Sequence, residues 1–531
     1  MSFFKRCLLP SLLFLILISC QKSENRFEGS WIGTAETKPF PELLFLYSDT
    51  SLMVKMFYSG IDLHKVTNFS TDANQIHFEV NQAEFRGQFD GILEDDTIKG
   101  ILKSGINNYP CNFVKIQPEG PETVSEYAGF YQLDNQHIIQ FTPYALDFSL
   151  TPLSVTDFNT GKKRIAFPIG NENYLAGSRM LSPYPTDFKI HFNKTEDIIR
   201  LELKTNEQSL TGEKLAELEE IIDISAENEG VELRASINLP ASKGPFPLVV
   251  IVHGAGDQSR ENYTLQDFAA LLPYYGIATL IYDKRGCGES GGNLQSAGFE
   301  TLSNDLQAII QSATKLKEIE AENIGLMGID QAGYIMPQLA NKNPNIKFIV
   351  GISTPVLGMQ TQELNACAMR MKSDGFSESD IEAALTYQKT MFAFLDGEID
   401  SAQFQNASDQ METESWSNYV TSFNKKEWIQ WWRKNYNYSP KDNLKDLSIP
   451  TFTIYGGKDL LTNPEENLAV LENLFQGENH KKKIYKDANH FMYIAGNRGD
   501  FQLSEIKGYP EGIFNEINEW IAERFGIIKN Q

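Results

Sequence analysis

The C-terminal half of the sequence predicts an α/β fold: a doubly wound, mostly parallel sheet with a helical lid, preceded by two β-rich modules. Three observations predict it. Continuous apolar runs such as Pro247-Leu248-Val249-Val250-Ile251-Val252 and Ala278-Thr279-Leu280-Ile281-Tyr282 alternate with helical patterns, as expected for strands buried on both faces. Ile324-Gly325-Leu326-Met327-Gly328-Ile329-Asp330-Gln331-Ala332-Gly333-Tyr334 reads as an apolar strand, a sharp turn and the start of a helix. Residues 27–117 instead alternate apolar and polar at period two, with Gly, Asp and Asn between the runs, which predicts short strands.

At 531 residues the chain is expected to hold two or three domains, and a formal charge of -23 argues against nucleic acid or anionic surfaces as partners. Residues 1–20 read as an export signal. Lys5 and Arg6 precede an apolar stretch at 8–18, shorter than the about 20 residues that cross a bilayer. The stretch ends Leu17-Ile18-Ser19-Cys20, which resembles a lipoprotein lipobox. The resemblance implies lipidation of Cys20 and a place in the bacterial cell envelope, held at the membrane through that anchor alone. With Gln21 rather than Asp after Cys20, it points to the outer membrane. The remaining Cys111, Cys287 and Cys367 are too widely spaced for a disulfide framework or a metal site.

The first β-rich domain, 27–117, reads as a small sandwich or barrel. After the turn-rich Pro118-Glu119-Gly120-Pro121-Glu122, a second β-rich domain covers 123–210. Either could bind a ligand or carbohydrate, but neither shows a cluster of site-like residues, which favours scaffolds or spacers. The α/β domain covers 222–531. A helical pattern over 299–319 places Leu302, Leu306, Ile309 and Ile310 on one face. From 356 to 447 the strand–helix alternation stops, and helical segments lead into Trp428, Trp431, Trp432, Tyr436 and Tyr438. This is the expected lid, with the aromatics as its core.

Read together, the strand ends resemble those of the α/β-hydrolase superfamily, in particular exported bacterial esterases and serine aminopeptidases. His253-Gly254-Ala255-Gly256 resembles their HG-x-G segment, and Asp283-Lys284-Arg285-Gly286-Cys287-Gly288-Glu289-Ser290 their D-x-R-G-x-G-x-S loop. Gly456-Gly457-Lys458-Asp459 and Asn489-His490 resemble the strand end bearing the triad acid and the turn bearing the histidine. The resemblance spans about 226–525 and implies a cofactor-free, metal-free hydrolase acting on ester or related bonds of a small molecule.

Each residue also has a chemical reason. Gly254 and Gly256 permit a tight turn that presents the Ala255 N–H to a developing oxyanion; the Gln331 N–H, after the elbow residue, is the second expected donor. Of His253, His480 and His490, His490 is the base candidate, because His253 belongs to the glycine loop and His480 to a polar stretch. Asp459 would orient it. Gly288-Glu289-Ser290-Gly291-Gly292 also spells G-x-S-x-G, but no strand runs into it and no helix leaves it, and Cys287 has no histidine nearby in sequence.

The elbow itself carries Asp330 where the resemblance expects serine, and Ala332 for the second glycine. Carboxylate is a poor acyl-transfer nucleophile, because it leaves the tetrahedral intermediate more readily than alkoxide does. Three readings stay open: an ester-type hydrolase, an Asp-nucleophile hydrolase of the epoxide or alkyl-halide type, and an inactive hydrolase-like binding protein. Hydrolases of the second type resemble this chain in part, since they usually carry Trp where Gln331 stands. In every reading Asp330, His490 and Asp459 are expected to converge, with the imidazole between two carboxylates.

Overall fold

The computed structural model describes residues 26–527 apart from 39–40, 50, 58–59, 136, 147–149, 196–197, 217–219, 262–263, 422–425, 476, 478 and 495–504. The export signal and Cys20 lie outside the described residues. The chain divides into two compact units, one built from residues up to 35 and 44–116, the other from 36–43 and from 117 onward.

The first unit contains a nine-stranded sheet in which Gly29–Ala35 pairs antiparallel with Asn107–Ile116 at its middle. Alternating residues of its strands, Phe78 and Phe89 among them, are fully buried on one face, where their rings stack 5.0 Å apart. The period-two reading of this region therefore corresponds to a half-buried antiparallel sheet.

The second unit opens with a short helix, Pro121–Tyr127, and a closed eight-stranded barrel. Closure pairs the first strand, Gly129–Leu133, with the last, Ser209–Lys214, which runs past the expected edge at 210 because both of its sides are paired. Tyr131, Phe141, Tyr174 and Phe192 fill the interior with ring contacts of 5.1–5.7 Å, so the barrel is a packed core and not a channel.

The α/β part is an eight-stranded sheet in the order Glu220–Asn228, Val231–Leu239, Ala278–Tyr282, Phe246–Val252, Ile319–Ile329, Ile346–Ile352, Thr451–Gly456, His480–Tyr485. The first two strands form an antiparallel hairpin, and the other six run parallel. Side chains alternate across the central strand: Leu248, Val250 and Val252 enter one apolar layer, Val249 and Ile251 the other. Burial on both faces is what made these runs continuous in sequence.

Two local expectations are corrected. The helix after the second parallel strand, Ala278–Tyr282, is Phe299–Ala313, and Ile319 already begins the elbow strand. Leu316 prolonged the helical pattern because it packs on the same core from the connecting turn. His480 is not in a solvated stretch; it starts the edge strand, stacks 4.1 Å from Phe475 and shares a 3.0 Å hydrogen bond with Thr451.

Between strands Ile346–Ile352 and Thr451–Gly456 lie the helices Met359–Ser373, Glu378–Asp396, Ser401–Met411, Lys426–Asn435 and Lys441–Lys445. Trp416, Trp431, Trp432 and Tyr436 form their common core with Phe299 and Tyr334. The barrel meets the α/β part at Asp267, whose Oδ2 accepts from the barrel's Lys163 at 2.6 Å and from Tyr509 of the α/β part at 2.5 Å.

Candidate active site

The elbow follows from three small residues. At Gly328, next to last in the strand Ile319–Ile329, a Cβ would come 2.5 Å from that of Ala332, and at Gly333 a Cβ would come 2.7 Å from the Pro355 carbonyl oxygen. Strand and helix approach this closely only because those side chains are missing. The turn leaves Asp330 at φ 50, a strained conformation for a residue with a Cβ, held by a hydrogen bond from its N–H to the Ile352 carbonyl.

The carboxylate of Asp330 is the acceptor for the first expected oxyanion donor: the Ala255 N–H donates to Asp330 Oδ2 at 2.9 Å. Gln331, the second expected donor, precedes the helix Ala332–Lys342. Its side chain reaches a residue that sequence reasoning did not assign, Lys284. The Lys284 ammonium donates to the carbonyls of Gly254 and Gly256, both at 2.9 Å, and to Gln331 Oε1 at 3.2 Å. One buried cation thus fastens both arms of the glycine loop to the elbow. Burial pulls its pKa down to about 8, against the carboxylate charge of Asp330.

His490 and Asp459 meet in the buried interior and are not among the residues lining the cavity over the elbow. His490 Nδ1 lies 2.9 Å from Asp459 Oδ2, and Asp459 Oδ1 accepts from the N–H groups of Leu461 and Thr462, each at 2.8 Å. Burial alone would depress the histidine, but the charge and hydrogen bond of Asp459, with the charge of Asp330 added, raise its pKa above the ordinary imidazole value. The turn carrying it is set by Asn489, whose Oδ1 accepts from Phe491 and Tyr493 N–H at 3.0 Å. Ser353 Oγ donates to the His490 carbonyl at 2.7 Å. Asp330, His490 and Asp459 therefore lie within one electrostatic neighbourhood, with Asp459 as the hydrogen-bonded partner.

The other candidates are structural. Ser290 Oγ donates to the Asp283 carbonyl at 2.8 Å and accepts from the Arg234 N–H at 2.9 Å, which pins the loop to the sheet. Burial raises the Cys287 thiol above its usual pKa, away from a reactive thiolate. His253 is driven down to about 4 by burial and remains neutral, its Nε2 bonded to the Tyr282 carbonyl.

Over the elbow lies a cavity of about 380 Å³, walled in part by the lid. Its walls are Ala255 and Gly256, the elbow residues Asp330, Gln331 and Tyr334, the lid helix from Met359 to Arg370, and Trp428, Trp431 and Trp432. The tryptophans thus serve as lid core and pocket wall at once. Two wall residues carry polar atoms without a partner: the Tyr334 hydroxyl and Gln362 Oε1. Burial raises the Tyr334 pKa well above that of a free phenol, and the charges of Glu363 and Asp330 raise it further, so the hydroxyl keeps its proton. Lys284, Tyr334 and Glu363 escaped the sequence reading, because nothing in local spacing reveals which side chain reaches a cavity.

Residues 247–496 match the family described as alpha/beta hydrolase fold. Esterase EstD of Thermotoga maritima is 22% identical over 300 residues, covering 55% of this chain and 66% of the esterase, just under two thirds of that protein's length. An uncharacterized 31.7 kDa protein from the traX-finO intergenic region of Escherichia coli is 23% identical over 288 residues, 50% of this chain and 89% of that protein. Among solved structures, the alpha/beta hydrolase GrgF from Penicillium overlays with a TM-score of 0.39 at 15% identity, covering 58% of this chain and 99% of GrgF.

Proposed function

Starting from a chain whose C-terminal part is an α/β hydrolase, we propose that it hydrolyses a small substrate through a covalent ester on Asp330. One observation carries this reading: the Ala255 N–H donates to Asp330 Oδ2. The oxygen of a bound ester carbonyl would need that same donor, and here the elbow carboxylate occupies it. The occupied donor fixes one carboxylate oxygen and leaves Oδ1 to attack.

In the first step Oδ1 bonds to a saturated carbon, and the carbon–oxygen or carbon–halogen bond breaks with its electron pair leaving on the departing atom. The unpartnered Tyr334 hydroxyl supplies a proton donor for a departing oxygen, which favours an epoxide as substrate. In the second step His490 Nε2 takes a proton from water, and the resulting hydroxide attacks Asp330 Cγ. The oxyanion forms on Oδ2, already at the Ala255 N–H, and the Gln331 N–H is the second proposed donor. Collapse expels the product alkoxide, which takes the proton from the imidazolium that Asp459 has stabilised, and the regenerated Asp330 carboxyl gives its proton back to the Tyr334 phenolate, or to solvent when the leaving group is a halide.

A second reading, direct hydrolysis of ester-type bonds, is supported by the relative named as an esterase. Water activated by His490 would then be the nucleophile. Incubation with epoxides, alkyl halides and esters, followed by intact mass, separates the two. An adduct on Asp330 from an epoxide or halide supports the first, and ester turnover without any adduct on Asp330 supports the second.

We also propose, from the lipobox-like Leu17-Ile18-Ser19-Cys20, that the protein works in the bacterial cell envelope, lipid-anchored through Cys20, on a small-molecule substrate. The acidic charge of -23 favours that over nucleic acid or anionic surfaces.

A further inference from the structure

The mechanism above leaves Glu363 unused. It projects from the lid helix Met359–Ser373 into the cavity over Asp330, and no described group hydrogen-bonds its carboxyl. Its neighbour Gln362 is more than nine-tenths buried, and its amide nitrogen donates to the Leu461 carbonyl. That bond fixes the amide orientation, so the atom left without a partner at the cavity wall is an acceptor, Oε1. An orphaned buried acceptor costs about 1–3 kcal/mol unless a donor reaches it.

The cations of the cavity wall are already engaged. Lys284 spends its donors on Gly254, Gly256 and Gln331. Arg370 donates to the Ala366 and Tyr419 carbonyls at 3.2 and 2.7 Å and lies 5.8 Å over the Tyr419 ring. What the cavity wall offers is therefore the acceptors of Asp330, Gln362 and Glu363, with the Tyr334 hydroxyl as an unpartnered donor among them, beside the rings of Trp428, Trp431 and Trp432. Acceptors beside aromatic faces match a compact cation with N–H donors.

We propose that the cavity recognises an alkylammonium group, held by Glu363 and Gln362 Oε1 against the tryptophan wall, so that the substrate is an amine. The inference rests on the hydrolase reading only in taking this cavity as the substrate's place; binding is read without turnover, so the two fail separately.

The free pocket supplies a pH signature. Burial raises Glu363 to about 7, Asp330 raises it further and Arg370 opposes both. Tyr334 and Lys284 are the other titratable groups on the cavity wall. The ionised form of Glu363 attracts a cation and the protonated form does not, so affinity must rise as pH passes upward through about 7.

The test uses the full chain with n-butylammonium, and with 1-butanol and butyrate as chain-matched controls, read by tryptophan fluorescence and calorimetry. The proposal expects butylammonium to bind at least about 10-fold more tightly than either control, and more tightly at about pH 8 than at about pH 6. Glu363→Gln should erase both the preference and the pH dependence while butanol binding stays unchanged. Equal affinity for the three probes, or tighter binding of butyrate, overturns the proposal in the unaltered protein, whatever the variant does. A preference that survives in Glu363→Gln overturns the role of Glu363.

Discussion

The Ala255 nitrogen and Asp330 Oδ2 are 2.9 Å apart, so the backbone N–H proposed above as an oxyanion donor already holds the side chain of its own elbow. A serine hydroxyl at this position would leave that donor open for substrate. A carboxylate fills it and keeps its second oxygen available. The identity of the elbow residue therefore decides which atom of the reaction the donor serves.

The pH behaviour of His490 follows from its two anions. Its folded pKa lies above the ordinary value of about 6.5, so the acid limb of any His490-dependent rate should lie above that pH. Removing Asp330 by Asp330→Asn should lower the pKa, and Asp459→Asn should lower it further, because Asp459 also contributes the hydrogen bond. Histidine NMR titration of the three proteins checks the order. A His490 pKa below about 6.5 in the unaltered protein would contradict the placement.

Lys284 is a positioning residue, since it touches the loop and elbow instead of the reacting atoms. Lys284→Met should leave Gly254 O, Gly256 O and Gln331 Oε1 without their donor and slow formation of the Asp330 adduct, on the order of 10- to 100-fold. The unaltered protein should also lose rate as pH rises through about 8, where Lys284 gives up its proton. A pH–rate profile of adduct formation reads both, because the variant must lack that alkaline limb. A purely structural lysine would change stability and leave the limb in place.

What was legible in the sequence is what burial writes into it. Val249 and Val250 face opposite layers and are both apolar because both faces of the sheet are covered, and the strand ends then fall in readable order. Asp459 could be found because it follows the buried strand Thr451–Gly456, whereas His490 comes after the half-buried edge strand His480–Tyr485 and was legible only from its Asn489-His490 turn. The barrel was read as strands only, since closure depends on pairing Tyr131 with Lys214, more than eighty positions apart, which no local pattern encodes. Glu363 was hidden for a related reason. It is one charged residue on a helix with many polar ones, and only the packing of that helix over Asp330 turns it toward the cavity.

The junction of barrel and hydrolase should prove energetically coupled through Lys163 and Asp267. Their side chains keep only 12% and 15% of their exposure. Asp267→Ala removes the carboxylate shared by the Lys163 ammonium and the Tyr509 hydroxyl, leaving them only the hydroxyls of Thr156 and Tyr493, and should destabilise the protein by about 3 kcal/mol. The double substitution Lys163→Met with Asp267→Leu removes both charges together and should recover most of the loss. Thermal unfolding of the three variants decides it, and equal melting of Asp267→Ala and the parent would show the pair to be dispensable.

Cys20 can be tested apart from the fold. The parent protein, expressed in a bacterial host with lipoprotein processing, should carry lipid mass on Cys20 and partition into membranes. Cys20→Ala should be soluble or remain unprocessed. A parent protein with no lipid on Cys20 would leave the apolar stretch at 8–18 as an ordinary export signal or an uncleaved anchor.

The elbow is the sharpest test of the chemistry. If Asp330 forms the alkyl ester, Asp330→Asn should abolish turnover of epoxides or halides, because the neutral amide is a far weaker nucleophile. Asp330→Ser should not restore it, since a serine ether has no carbonyl for water to attack. The same serine variant should gain esterase activity, because its hydroxyl would stand near His490 with the Ala255 N–H now open to substrate. Base and oxyanion donors typically contribute factors of about 100 or more each, so the gain should be readily measured. Should the parent form no adduct and hydrolyse esters unaided, the direct-water reading takes its place. If neither parent nor Asp330→Ser turns over any of the three substrate classes, the domain is a binding protein that has kept the fold and its His490–Asp459 pair without the reaction.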